Sequence, residues 1–134
     1  MAVEGYTGGS AYIKFGTTVL NTYYRTASPS EEIELVDKSA GADASKTYLT
    51  GLKDGTFDLE CVMPSGSAGT ALWAALTPGT SGTLEWGPEG TATNSMKHSV
   101  TAFVRSRGKP LTYNDTSTFS ISFQFSGDIS NTAY

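Results

Sequence analysis

Residues 119–125, Phe119-Ser120-Ile121-Ser122-Phe123-Gln124-Phe125, alternate apolar and polar without exception and carry no charge. A strict two-residue period puts three phenylalanines and Ile121 on one face of a strand, and Ser120, Ser122 and Gln124 on the other. On a helix the same groups would be scattered around the circumference. The segment is therefore a strand with one face on a core, and Gly127 ends it. A flat, uncharged strand left on an open edge templates aggregation. It has to lie inside a sheet or be covered by another subunit.

Residues 57–62 repeat the pattern with a different outer face. Phe57, Leu59 and Cys61 point one way, and Asp58, Glu60 and Val62 the other. The stretch leading into them, Leu49-Thr50-Gly51-Leu52-Lys53-Asp54-Gly55, reads as a turn bounded by glycines. Upstream, residues 11–15 alternate, 16–18 turn, and 19–26 continue as strand until Ser28-Pro29-Ser30 breaks it. In residues 32–36, Ile33 and Leu35 face inward while Glu32 and Glu34 face out. Residues 37–47 are small and polar and form a long loop.

The one helix candidate spans residues 65–76, where Leu72, Trp73 and Leu76 recur at helical spacing before Pro78-Gly79 stops it. Strands follow at 82–87 and 96–105. Residues 1–10 read as a flexible N-terminal arm and 128–134 as a polar C-terminal tail. The 35 serines and threonines and 15 glycines favour short strands and turns over helices. About seven strands and one helix in 134 residues imply one mainly-β domain over residues 1–134. Its expected form is a small antiparallel β-barrel or β-sandwich with one flanking α-helix.

The net charge of −4 argues against binding through nucleic-acid phosphates, which needs a surplus of Lys and Arg. One cysteine cannot form an internal disulfide. The start has no basic region or apolar run of a secretory signal, and the longest strictly apolar run, 71–76, is too short for a membrane anchor. Synthesis in a cytoplasm is expected.

Catalytic chemistry finds little support. One His and one Cys cannot build a tetrahedral zinc site, and no nucleophile elbow accompanies His98. Asp58 and Glu60 lie two apart on a strand, roughly 6–7 Å between Cα atoms, and paired carboxylates can hydrolyse glycosides. Such pairs normally come from separate elements in a deep cleft, so a solvated acidic face is the simpler reading. Asp37 and Asp43 lack the spaced acidic loop of a calcium hand. No catalytic residue, cofactor or metal is expected. Lys97, Arg105, Arg107 and Lys109 fall late in the chain, and Glu31, Glu32, Glu34, Asp37, Asp58 and Glu60 earlier. That split allows the acidic part of one copy to meet the basic part of the next. A different reading is a non-catalytic carbohydrate- or ligand-binding β-sandwich, with Tyr23, Tyr24, Trp73 and Trp86 as stacking platforms.

The order of these motifs resembles the tail tube protein, or major tail protein, of long-tailed bacteriophages. The similarity runs over nearly the whole chain. An early strand ends in Ile13-Lys14-Phe15, and an acidic strand closes on Val36-Asp37 before a Ser/Gly/Ala loop. Lys46-Thr47-Tyr48-Leu49-Thr50-Gly51-Leu52-Lys53-Asp54-Gly55 then runs into Phe57-Asp58-Leu59-Glu60, and the aromatic strand closes on Phe125-Ser126-Gly127-Asp128-Ile129.

The resemblance implies a structural virion protein that forms hexameric rings stacked into a hollow tube, with other tail proteins at its ends. The tube conducts viral DNA without binding it specifically, and the protein is made in the host bacterial cytoplasm. Strands of neighbouring subunits would line the lumen. Asp58 and Glu60 are the first choice for lumen-facing groups. Glu32 and Glu34, and Ser120, Ser122 and Gln124, are also candidates. The N-terminal arm, the loop residues Ala40, Gly41, Ala42, Asp43, Ala44, Ser45 and Lys46, and the C-terminal tail would bridge subunits and rings. The basic residues Arg105, Arg107 and Lys109 are further candidates for contacts between subunits.

Overall fold

The computed structural model describes residues 9, 11–42, 44–111, 113 and 116–134. The proposed N-terminal arm, apart from Gly9, and Asp43 lie outside these residues. Among the described residues, eight strands and one helix follow in the order β1 (Tyr12–Phe15), β2 (Thr18–Val19), β3 (Tyr24–Asp37), β4 (Tyr48–Val62), α1 (Gly66–Ala75), β5 (Ser81–Gly87), β6 (Met96–Gly108), β7 (Thr118–Phe125) and β8 (Ser130–Ala133). All strand pairs are antiparallel, in the order β2-β1-β5-β6-β7-β4-β3, with β8 beside β6. The charge-free strand β7 sits between β6 and β4, so both its edges are paired.

The sheet curls around one core. Ile13, Phe15, Phe57, Leu59, Cys61, Leu84, Trp86, Val100, Ala102, Val104, Phe119, Ile121, Phe123 and Phe125 all point into it. Phe123 meets Phe15 at 4.8 Å and Phe57 at 6.2 Å between ring centroids. Offset and edge contacts of this kind add about 0.5–1.5 kcal/mol each beyond area burial. Helix α1 has no side-chain N-cap bond and no acidic group in its first turn. Packing holds it instead, through buried Leu72 and Leu76 and an edge-on contact of Trp73 with Phe119 at 5.9 Å.

Several expectations change. The mainly antiparallel β fold with one helix stands; among the described residues the sheet is not closed by hydrogen bonds, its path ending on β2 and on β3, so the barrel form is a curled open sheet. Residues 19–26 are not one strand. Leu20, fully buried, donates its N–H to Ile13, and Tyr23 and Tyr24 donate to Leu20, making a turn between β2 and β3. Pro29 does not break β3. It pairs with Phe57, and the last strand of a sheet tolerates a residue without an N–H.

Residues 49–55 are strand, not turn, paired along β3 with a register shift between Ile33 and Leu35. The glycines there serve close approach. A Cβ on Gly55 would stand 2.6 Å from Phe125 Cδ2, and one on Gly51 would stand 2.9 Å from Glu34 Cβ. Ile33 and Leu35 are exposed, because the outer half of the β3–β4 hairpin extends beyond the core. Finally, part of the C-terminal tail is strand β8, whose pairing runs from Met96↔Ala133 to Ser99↔Ser130.

Candidate functional site

Alternation and register together build the outer face of β3, β4, β7 and β6. Gly55, Phe57, Leu59 and Cys61 of β4 are buried, so Asp58 and Glu60 between them point out. Pairing places Thr26, Glu60, Ser120 and Gly108 in one row across the four strands, and Ser28, Asp58, Ser122 and Ser106 in the next. A third row holds Ser30, Thr56, Gln124 and Phe103. The result is a shallow trough of about 360 Å³ lined chiefly by hydroxyls and two carboxylates, with Arg107 at its β6 side. Asp58 and Glu60 are exposed and make no ion pair among the described residues.

The same face continues along the hairpin. Glu32 pairs with Asp54, two positions along from the Ser30 and Thr56 row. Glu34 lies over Gly51 at the register shift. The four acids singled out from the sequence are therefore brought onto one side of the β3–β4 hairpin. Asp54 joins them and was missed, because it read as part of a turn. Its even spacing from Asp58 was the available signal. Asp54 accepts hydrogen bonds from Gln124 Nε2 at 2.5 Å and from the Gly55 N–H at 2.8 Å, tying the hairpin to β7. Lys53 faces the opposite way and meets Asp128 at 3.7 Å.

The basic residues do not form one patch. Arg107 pairs with inward-facing Ile121, and its guanidinium lies 3.9 Å from the centre of the Trp73 ring while donating to the Trp73 carbonyl. Lys109 Nζ lies 5.0 Å from the same ring centre. Arg105 is exposed at the register shift in β6. Lys97 opens β6 and contacts Glu85 at 3.6 Å. It stands roughly 40 Å along the strand from Lys109.

The tip of the hairpin is ordered by its own polar groups. Lys38 donates its N–H to the Thr47 carbonyl at 2.9 Å, and Thr47 donates to Ser39 Oγ at 2.7 Å. The Ser39 N–H and hydroxyl beside Asp37 hold its carboxyl below the usual range. Between them lie Ala40, Gly41, Ala42, Ala44, Ser45 and Lys46, all exposed. Leu35, Val36, Leu49 and Leu52 stand exposed just behind the tip, with Leu52 at 82%.

Of the four candidate stacking aromatics, Tyr23 and Tyr24 are half-buried against the core, and the two tryptophans are engaged within the subunit. Trp86 is buried, stacked on Phe125 at 5.6 Å and on His98 at 5.3 Å, and Trp73 is covered by Arg107. His98 Nδ1 meets Asn131 Oδ1 at 2.5 Å, fixing β8 to β6. Burial pushes the Cys61 thiol up to about 12. No group of His, Cys, Asp or Glu able to hold a metal occurs among the described residues.

No family model and no curated relative matches the sequence. Solved structures do match the fold. A chain from the tail of an empty gene transfer agent particle with C6 symmetry is 13% identical, with a TM-score of 0.79 over 96% of this chain and 100% of that one. A chain of the SPP1 tail tube is 14% identical, with a TM-score of 0.78 over 97% of this chain and 80% of that one. A chain of an extracellular contractile injection system, from its sheath-tube complex in the extended state, is 14% identical at a TM-score of 0.73, over 97% and 93%. The chain has the fold of phage tail tube proteins.

Proposed function

We propose that this protein is a structural tail tube subunit of a phage virion, with the hydroxyl and carboxylate face of β3, β4, β7 and β6 turned toward the lumen. The observation that carries the reading is that face itself, on a fold shared with tail tube proteins. Asp54, Asp58, Glu60, Glu32 and Glu34 repel a polyanion, and Arg107, the cation that lines the trough, is held against Trp73. DNA slides along such a surface without sticking to it.

The remaining features fit self-assembly into hexameric rings stacked as a tube. Among the described residues one edge of β3 pairs with no other strand, which suits pairing with a neighbour, and a ring of curled open sheets joined edge to edge leaves no strand exposed. The exposed apolar groups of the hairpin, with the loop from Ala40 to Lys46, bridge subunits or rings. Arg105 and Lys109 remain candidates for contacts with an acidic neighbour, while Arg107 serves its own helix. Other tail proteins cap the tube, which resides in the virion tail after synthesis in the host bacterium.

Electron microscopy of the purified protein over a range of concentrations tests this directly. Rings or hollow tubes are expected, and a strict monomer at high concentration refutes the reading. Assembled particles carrying Asp58→Lys with Glu60→Lys should eject DNA poorly while forming tubes of normal length. Normal ejection would remove the lumen assignment.

A further inference from the structure

The pairing of β3 with β4 changes step where the hairpin leaves the body. Ile33 pairs with Lys53 and Leu35 with Thr50, so Gly51 and Leu52 together oppose Glu34. Such a bulge shifts the alternation of one strand by one position. Directly opposite residues share a face, so the register beyond the bulge can be read off its pairs. Val36 pairs with Leu49, and these two follow Glu34 and Leu52 on the side that carries Glu32 and Asp54. Leu35, Thr50, Asp37 and Tyr48 fall on the other side, with Ile33 and Lys53. Without the extra residue Leu49 would stand beside Leu35, and Tyr48 beside Val36. With it, both sides of the outer hairpin are apolar. Val36, Leu49 and Leu52 are on one and Leu35 and Tyr48 on the other, all between 47% and 82% exposed.

We propose that in the assembled tube the outer hairpin is held between two further copies of this chain, one against Val36, Leu49 and Leu52 and the other against Leu35 and Tyr48. The inference rests on the reading of the chain as a self-assembling tube subunit. A pair of strands that lies on a single partner needs apolar groups on one face only, and its other face stays polar. Two or three side chains on one side are also far fewer than the roughly 20–30 residues a standard interface uses, so one-sided contact would hold the hairpin weakly. A curled sheet offers a neighbour one surface to lie on, and covering both sides takes two copies. Charge points to this chain as its own partner. Glu34 marks one side of the hairpin and Asp37 the other, while Arg25 and Arg105 are exposed cations with no ion pair among the described residues. A projecting element that meets a different surface of the next copy makes a heterologous contact, the kind that builds rings and tubes.

The test uses tubes assembled from the full-length chain, in which a small minority of subunits carries the photo-crosslinker benzoylphenylalanine in place of Leu35, of Leu52, or of both. Each single-site subunit should give a two-chain product, with different peptides captured from the two sites. The two-site subunit should give a three-chain product as well. Two-chain products alone from the two-site subunit, or the same peptide captured from both sites, would mean one partner and overturn the proposal. In a second measurement, Leu35→Ser with Tyr48→Ser, and separately Val36→Ser with Leu49→Ser, should each lower tube yield by about ten-fold or more. The unfolding midpoint of the unassembled subunit should not move. Full yield from either variant would overturn the proposal too. A native chain that never assembles fails the tube reading itself, whereas native tubes that crosslink from one side only fail this inference alone.

Discussion

The ring of Phe125 lies against the backbone of Gly55, so closely that a Cβ on Gly55 would stand 2.6 Å from Phe125 Cδ2 and 2.7 Å from the Ser30 carbonyl oxygen. The glycine lets β7 deliver a stacked pair, Phe125 on Trp86, beneath the crossing of β3 and β4. Gly55→Ala should destabilise the subunit by about 1–3 kcal/mol, as overpacking usually does. Urea unfolding of the unassembled protein measures this. Gly41, where a Cβ meets nothing within 4 Å, should accept alanine within about 0.5 kcal/mol.

Arg107 should matter to the helix rather than to a neighbouring subunit. Arg107→Ala removes the contact over Trp73 and the bond to its carbonyl, and should cost about 1–2 kcal/mol. Arg107→Lys should recover only part of it, since an ammonium lacks the planar stacking surface. Trp73 fluorescence and unfolding midpoints report both changes.

Cys61 should resist thiol reagents at pH 8 in the native subunit and react only on unfolding. Its thiol is raised, first by burial and then by the charge of Glu60. The sign follows from that direction. Below the unfolded thiol value both states are protonated and the full stability is present. As pH rises through about 9 toward 12, the unfolded state ionises first and stability falls. Cys61→Val should flatten that alkaline slope, and stability curves between pH 8 and 11 would show a difference or its absence.

Leu35, Leu49 and Leu52 are exposed on the isolated subunit. Replacing all three with serine should leave its unfolding midpoint nearly unchanged, within about 0.5 kcal/mol per site. Tube yield should fall sharply. A parallel loss of stability would show instead that these side chains support their own subunit.

The body of the fold was legible because its strands are half-buried and alternate cleanly. The apolar faces of β4, β6 and β7 and the helix around Leu72 and Leu76 stand where period alone placed them. The hairpin was not legible, because its residues answer to no core in their own subunit. Leu49 to Gly55 looked like a turn, since glycines chosen for close approach resemble glycines chosen for bending. Pro29 looked like a break because sequence does not reveal that β3 is the last strand. The acidic face was half visible: Asp58 and Glu60 stood out, but their alignment with Asp54, Glu32 and Glu34 depends on pairing between strands. The dispersal of Lys97, Arg107 and Lys109 follows from strand length and from the turn of Arg107 toward α1.

The 14 residues of β3 and 15 of β4 outrun the core they belong to, for β7 begins to support β4 only at Thr56. The outer half of the hairpin is thus a ribbon roughly 20–25 Å long, two strands wide, tied to the body at its base by Asp54–Gln124 and Lys53–Asp128 and held beyond them by its own ladder. A two-stranded ribbon of that kind is marginal in water. On the isolated subunit such a ribbon is expected to open locally more readily than the body. Its ordering is completed by whatever it lies against, so its persistence becomes a measure of local subunit concentration. A growing assembly would gain rigidity at the moment of each addition, and a stray monomer would keep a loose end.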